Sequence, residues 1–282
     1  MSLRPLGLDS TGHPLVESMV RAAKLGAPFA LPVRDAAEEG WLEARVLFQG
    51  QDQVLGDMAL AYGRERWESS NPHVAGSAFL IAYLTRVIWP VVGQYVRERR
   101  LPKVTLDNLS LHRDGERIVG TALNRPLFAV LPGDPAAGHP DAQVAPDQQA
   151  LYALLKQWLF EENLSMVVPA LHRAARASYP VSRNAVAASF AQAFHWLSYG
   201  GGDAQGLLRE AQRFFADPAS PLFRQATVEL LEQDGRRGLF ARRAGCCLWW
   251  RSPRATDYCS NCILVPREEQ TRRFLELLAG GN

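Results

Sequence analysis

The sequence predicts an α+β chain, dominated by helices, with an antiparallel hairpin or small sheet before the helical region and a cysteine-bearing segment at its C-terminal end. Three observations carry this prediction. Hydrophobicity alternates over residues 104–123, apolar residues recur at helical spacing from Leu151 onward, and all four cysteines lie between Cys246 and Cys262. The 282 residues are 47% hydrophobic and 21% charged, the balance of a globular protein and not of a disordered one. That length suits one large domain or two of ordinary size.

Residues 1 to about 60 are broken by prolines and glycines, with one short alternating run at Trp41, Glu43 and Arg45. Residues 78–96 form the most apolar stretch, interrupted by Arg86, Pro90 and Gln94, so a kinked core helix is expected and an integral membrane span is not. Val104, Leu106, Leu109 and Leu111 then alternate into a turn at Arg113-Asp114-Gly115, with the return strand over Ile118 to Leu123. The Pro/Gly-rich stretch from Leu131 to Pro146 predicts a boundary, dividing an N-terminal α+β region, 1–140, from a helical region, 141–282.

Leu151, Leu154, Leu155, Trp158 and Leu159 put one apolar stripe on a helix. Ser182 is expected to cap a second helix that stops at Gly200-Gly201-Gly202. A third is expected over about 204–216, a fourth opening at Ser220-Pro221, and a last one over about 266–278.

The cysteines are two adjacent residues, Cys246 and Cys247, then Cys259 and Cys262 as a Cys-x-x-Cys pair. Clustering of this kind argues for a shared metal centre, since disulfides that staple a fold are spread over it. Four thiolates can hold zinc or an iron–sulfur cluster. Structural zinc sites pair ligands two to four residues apart, which fits Cys259 and Cys262 but not the adjacent pair. A dinuclear [2Fe-2S] unit is a larger target that accepts both members of the adjacent pair more readily. Zinc, a redox dithiol and a [4Fe-4S] site are the remaining readings.

The segment 243–265, with Arg243-Ala244-Gly245-Cys246-Cys247-Leu248-Trp249-Trp250 and Tyr258-Cys259-Ser260-Asn261-Cys262-Ile263, resembles the C-terminal end of the FhuF-type ferric-siderophore reductases. The gap between Cys247 and Cys259 is eleven residues, one more than the usual spacing. The resemblance implies a [2Fe-2S] cluster on Cys246, Cys247, Cys259 and Cys262, with no catalytic residue beyond it. It implies one-electron reduction of a ferric siderophore, release of Fe(II) in the cytoplasm, and a separate donor: a ferredoxin, a reductase or a soluble reductant. A fainter resemblance joins residues 103–111 to a strand of siderophore synthetases that carries His-x-Gln-Asn, where this chain has Thr105-Leu106-Asp107-Asn108. The alternatives are thus a zinc-binding structural or interaction protein and a siderophore-synthetase relative.

Arg236, Arg237, Arg242, Arg243, Arg251 and Arg254 crowd the cysteine segment, against Asp234 and Asp257. Arg242, Arg243, Trp249, Trp250, Arg251 and Arg254 are therefore candidates for substrate or donor contact, weighed against packing and a solvated loop. His73, His112, His172 and His195 form no metal-ligand spacing in sequence. A net charge of +2 is too small to imply nucleic acid as the partner, since backbone binding needs a basic stripe, and any basic patch must be local. The opening residues lack a basic stretch followed by an apolar run, so a cytoplasmic protein is expected, with peripheral membrane association left open. No dinucleotide glycine fingerprint, P-loop or nucleophile elbow is found, which is why the electron is expected from a separate donor.

Overall fold

The structure, a computed structural model, describes residues 12–34, 39–114, 117–199 and 203–280. In chain order the main elements are α1 (Pro14–Ala23), β1 (Trp41–Glu43), α2 (Ala44–Gly50), α3 (Asp52–Trp67), α4 (Pro72–Glu98), β2 (Leu101–Pro102), β3 (Leu109–Asp114), β4 (Arg117–Leu123), β5 (Phe128–Val130) and β6 (Ala142–Val144). They continue with α5 (Gln148–Leu155), α6 (Ser165–Ala175), α7 (Tyr179–Tyr199), α8 (Ala204–Ala216), β7 (Ala226–Gln233), β8 (Arg236–Arg243) and α9 (Arg267–Gly280). The fold is α+β, with three small sheets in the orders β1-β3-β4, β2-β5-β6 and β7-β8.

Two compact units arise, residues 1–58 with 86–170, and residues 59–85 with 171–282. The Pro/Gly-rich stretch 131–146 falls inside the first unit, while α3, α4 and α6 each contribute to both.

In the first unit the expected hairpin forms as β3 and β4, paired antiparallel from Leu109 opposite Leu123 to Asp114 opposite Arg117. Its turn residue Gly115 lies outside the described residues. Residues 104–108 are not strand, because Leu106–Asn108 close a 3₁₀ turn first. Asn108 is buried and fully spent on main chain: its amide donates to the Lys103 and Arg125 carbonyls at 2.8 and 3.0 Å, and its Oδ1 accepts from Arg125 N at 3.0 Å. Gln94, polar in an apolar run, is satisfied by a buried reciprocal pair: Ser18 Oγ donates to its Oε1 at 2.7 Å, and its Nε2 donates to the Ser18 carbonyl at 2.8 Å. The first expected helix begins as α5 and continues through a π-helical stretch, Lys156–Leu164, where Asn163 donates to the Val104 carbonyl at 2.6 Å.

The second unit holds all four cysteines. Phe190 and Phe194 of α7 pack against Phe214 of α8 at ring-centroid distances of 5.5 and 5.8 Å. α7 starts at Tyr179, which makes Ser182 a buried residue of the first turn and not the cap. The expected stop at Gly200 to Gly202 lies outside the described residues. α8 spans the expected residues, and α9 runs slightly beyond its expected end.

The helix expected at Ser220-Pro221 is absent. Ser220 Oγ accepts from Leu222 N at 3.1 Å, and Arg224 takes a left-handed φ of 57°, ending the turn before a second can form. The chain instead enters the β7–β8 hairpin. Its turn, Asp234-Gly235, has φ of 53° and 74°, the two positive values of a type I′ turn, which suits this residue pair.

Within this unit α3 and α4 approach closely at Gly63, where an added Cβ would come within 2.7 Å of Ala75 Cα. Gly63→Ala is expected to destabilise the protein by about 2 kcal/mol, overpacking outweighing alanine's helix preference of about 1 kcal/mol. Chemical denaturation checks this, and an unchanged midpoint would contradict it. α4 is the one helix among the described residues long and apolar enough to cross a membrane, and 83% of its most apolar window is buried inside the protein.

Candidate metal centre and flanking cavities

β8 delivers the chain to Cys246 and Cys247 through Gly245, whose missing side chain makes room for the Asn184 amide of α7. Beyond the pair, Leu248 adopts a left-handed φ of 67° and a 3₁₀ turn follows over Trp249–Arg251. These devices bend the chain sharply. The Leu248 N–H donates to Cys246 Sγ at 3.2 Å, and buried Ser77 of α4 donates to the Cys247 carbonyl at 2.8 Å. Ser252 Oγ donates to the Trp67 carbonyl at the end of α3, and Trp249 meets Trp67 edge to face at 5.3 Å.

The second pair sits on a tight turn in which Cys262 N donates to the Cys259 carbonyl at 2.9 Å. Asn261 ties this turn to β8 by donating to the Ala241 carbonyl at 3.3 Å. Gln270 ties it to α9, its Nε2 donating to the carbonyls of Cys262 and Val265 at 3.0 and 2.8 Å.

The loop and the turn bring Cys247 Sγ to 4.0 Å from Cys259 Sγ. Two thiolates on one tetrahedral metal, with metal–sulfur bonds of about 2.3 Å, lie about 3.8 Å apart, so this pair has the spacing of one ligand edge. Cys247 and Cys262 are buried, and Cys246 and Cys259 are half-buried, which places the thiols just beneath the surface. Among the described residues the one group of three or more His, Cys, Asp or Glu ligand atoms lying within 4.8 Å of one another is His13, His139 and Asp141. No third thiol therefore joins Cys247 and Cys259 at that spacing.

A hydrogen bond from the Cys259 thiol holds Cys247 well below the usual thiol range, against burial and with help from the Arg243 guanidinium. Cys259 is raised, first because donating to Cys247 favours its protonated form and then because it is buried. The hydrogen bond couples the titration of the two thiols. Arg243 Nε is buried without a partner, a donor left over beside the sulfurs. A thiolate-only donor set, one ligand-edge spacing and an unpaired guanidinium N–H beside it fit an anionic metal–sulfur group.

The other candidate contact residues divide by role. Arg242 is buried at 9% side-chain exposure and braces the unit: it pairs with Glu229 and donates to Thr271 Oγ1 at 2.6 Å and Gln270 Oε1 at 3.1 Å. Arg254 donates to the Glu65 and Arg66 carbonyls at 3.4 and 3.3 Å, capping α3. Trp249 packs on Trp67. Trp250 and Arg251 are exposed, the guanidinium lying 5.1 Å over the indole, while Arg243 is half-buried beside the sulfurs.

No family model matches the chain, and no curated protein does. Two solved structures of an aerobactin synthetase from a hypervirulent pathotype of Klebsiella pneumoniae overlap part of it. The ATP-bound form gives a TM-score of 0.45 at 16% identity over 63% of this chain and 32% of that one. The other form gives 0.42 at 16% identity over 58% and 29%. This chain spans about a third of their length.

Two cavities belong to the cysteine-bearing unit. One, of about 590 Å³, is open and lined by His73, His172, Arg173, Arg176, Ser178, Tyr179 and Pro180. His73 lies one helical turn before Ser77, which holds the Cys247 carbonyl. The other, of about 240 Å³, is lined by residues of α7, β8 and α9 together with Ser260 and Asn261, the two residues between Cys259 and Cys262.

These histidines had no signal in sequence spacing, since tertiary packing alone brings His73 to His172. It also gathers His13, His139 and Asp141 in the first unit. There both Nδ1 atoms accept backbone N–H groups, from Leu15 at 3.2 Å and Asp141 at 3.2 Å. In the neutral rings the proton is then on Nε2, which suits hydrogen bonding better than metal ligation.

Proposed function

We propose that the four thiols hold a [2Fe-2S] cluster and that the protein is a ferric-siderophore reductase. The observation that carries this reading is the convergence of Cys247 and Cys259 at 4.0 Å within the segment that holds all four cysteines. The adjacent Cys246-Cys247 pair suits a two-iron unit better than a structural zinc, whose ligands pair two to four residues apart. When bound there, the cluster supplies one-electron transfer to chelated Fe(III).

The chain's own residues do the rest. The Cys247 thiol, held well below the usual range by its bond to Cys259, and the buried Nε of Arg243 meet the charge of a metal–sulfur group. Ser77, Asn261 and Gln270 fix the main chain that presents the thiols. Half-buried Cys246 and Cys259 leave an edge open to a partner molecule. The 590 Å³ cavity with Arg173 and Arg176 falls in the size range of ligand sites and suits a bulky anionic chelate. Hydroxamate and catecholate oxygens are hard ligands that favour Fe(III), so reduction loosens the chelate and frees Fe(II).

The test is anaerobic: chemically reduced protein is mixed with several ferric siderophores while its visible spectrum is followed. Reoxidation by at least one of them is expected, and none by any would overturn the reading. Replacing Arg173 and Arg176 together with alanine is expected to raise KM for an anionic chelate roughly tenfold and leave the visible spectrum unchanged. Steady-state reduction assays check this, and an unaltered KM would remove the cavity from the account.

A second reading, a siderophore-synthetase relative that binds ATP, has the partial overlap with such a synthetase behind it. At residues 103–111, however, Asn108 is occupied by Lys103 and Arg125 main chain. Calorimetry with ATP and magnesium separates the readings: saturable heat favours the synthetase relative, and its absence the reductase.

A further inference from the structure

We propose that the 240 Å³ cavity binds a planar, uncharged, hydroxylated aromatic ring whose hydroxyl donates to Nε2 of His195. Four aromatic side chains, Trp196, Tyr199, Phe240 and Phe274, form its walls, and Leu277 stands exposed at α9. Phe240 and Phe274 are themselves stacked, 4.6 Å apart at 22°. Such surfaces favour a flat π-face.

Size narrows the ligand. A cavity of about 150 Å³ accepts a single benzene ring, and drug-sized ligands need about 300 Å³ or more, so this one suits one or two fused rings. Charge narrows it further. Among the described residues no charged side chain lines the cavity, so an ion entering would lose its hydration without a counter-charge.

His195 supplies the polar selection. Its Nδ1 faces the Leu239 carbonyl, which can only accept, so the neutral ring carries its proton there and Nε2 is a bare acceptor. Burial lowers the basicity of His195, outweighing that carbonyl bond, which favours the neutral ring. Nε2 has no protein partner among the described residues. A ligand hydroxyl fills that role.

Ser260 and Asn261 place the bound ring against the turn that carries Cys259 and Cys262. Two sources share this ligand chemistry: a hydroquinone-type reductant, or the catechol arm of an iron chelator. A part in electron delivery rests on the reductase reading, and the binding itself does not.

Anaerobic calorimetry on the full chain tests the proposal with 1,4-naphthohydroquinone and N-methyl-2,3-dihydroxybenzamide, and with 1,4-dimethoxynaphthalene, which cannot donate. At least one dihydroxy probe is expected to bind saturably, and the tighter of the two identifies the source. The dimethoxy compound is expected to bind about tenfold more weakly, the worth of one hydrogen bond. His195→Asn keeps a donor near the Nδ1 position and removes Nε2, so it should weaken the dihydroxy probe about tenfold and leave the dimethoxy compound unaffected. Leu277→Trp should block all three. The proposal is overturned if neither dihydroxy probe binds, if the dimethoxy compound binds as well as they do, or if His195→Asn changes nothing. Iron and sulfide assays on the same samples keep the two readings apart: ring binding without iron sinks the cluster alone, and iron without ring binding sinks the cavity alone.

Discussion

Replacing Cys246, Cys247, Cys259 or Cys262 singly with serine is expected to abolish the visible absorption of the protein and to drop bound iron from about two per chain to well below one. Serine offers a hard, weakly acidic oxygen where a thiolate must bind, and three remaining sulfurs cannot complete two four-coordinate irons. The four variants should differ in stability. Cys247 and Cys262 are 7% and 3% exposed, so a serine there also buries a hydroxyl in space shaped for sulfur, whereas Cys246 and Cys259 are half-buried and their variants should lose metal first. Iron and sulfide assays with thermal unfolding check both parts. Full iron content in any one variant would remove that cysteine from the ligand set.

Arg242→Ala is expected to destabilise the protein by about 3 kcal/mol, enough to lower Tm by roughly 6–10 °C. The guanidinium lies over the Phe274 ring at 5.4 Å while it pairs with Glu229 and donates to Gln270, Thr271 and the Arg267 carbonyl. Its loss frees Gln270, and Gln270 holds the Cys262 and Val265 carbonyls, so the cysteine turn loosens with it. Glu229 keeps Arg267 at 3.2 Å and is 28% exposed, which holds the cost below that of stranding a fully buried charge. Arg242→Lys should recover little, because one ammonium cannot serve partners spread around a planar fork. Full stability in Arg242→Ala would show that the bracing is redundant.

The β3–β4 hairpin is legible because Leu109 and Leu111 alternate into the turn at Arg113-Asp114-Gly115, and α8 and α9 because their apolar residues recur at helical spacing. The β7–β8 hairpin is harder to see in the sequence, although Asp234-Gly235 announces its turn. Glu229, Glu232, Arg236 and Arg237 leave its alternation incomplete, and Ser220-Pro221 just before it has the form of a helix start. Ser182 misled for a similar reason: α7 begins at Tyr179, so the serine falls inside the helix.

The cysteine segment is the part of the site most visible in sequence, since ligand type and spacing are local. What surrounds it is not local. Ser77 reaches Cys247 across 170 residues, and the fates of Arg242 and Arg254 depend on the places of α9 and α3. Charge density and the aromatics of the cysteine loop point to six contact candidates, and packing engages Arg242, Arg254 and Trp249 in structure. The two cavities of the unit draw their histidines and aromatics from α4, α6, α7, β8 and α9, a grouping that sequence spacing does not reveal.

Metal and sulfide analysis of protein purified without oxygen tests the central claim most directly. The account predicts a brown protein with about two irons and two sulfides per chain. A colourless protein with one zinc per chain and neither iron nor sulfide would contradict it.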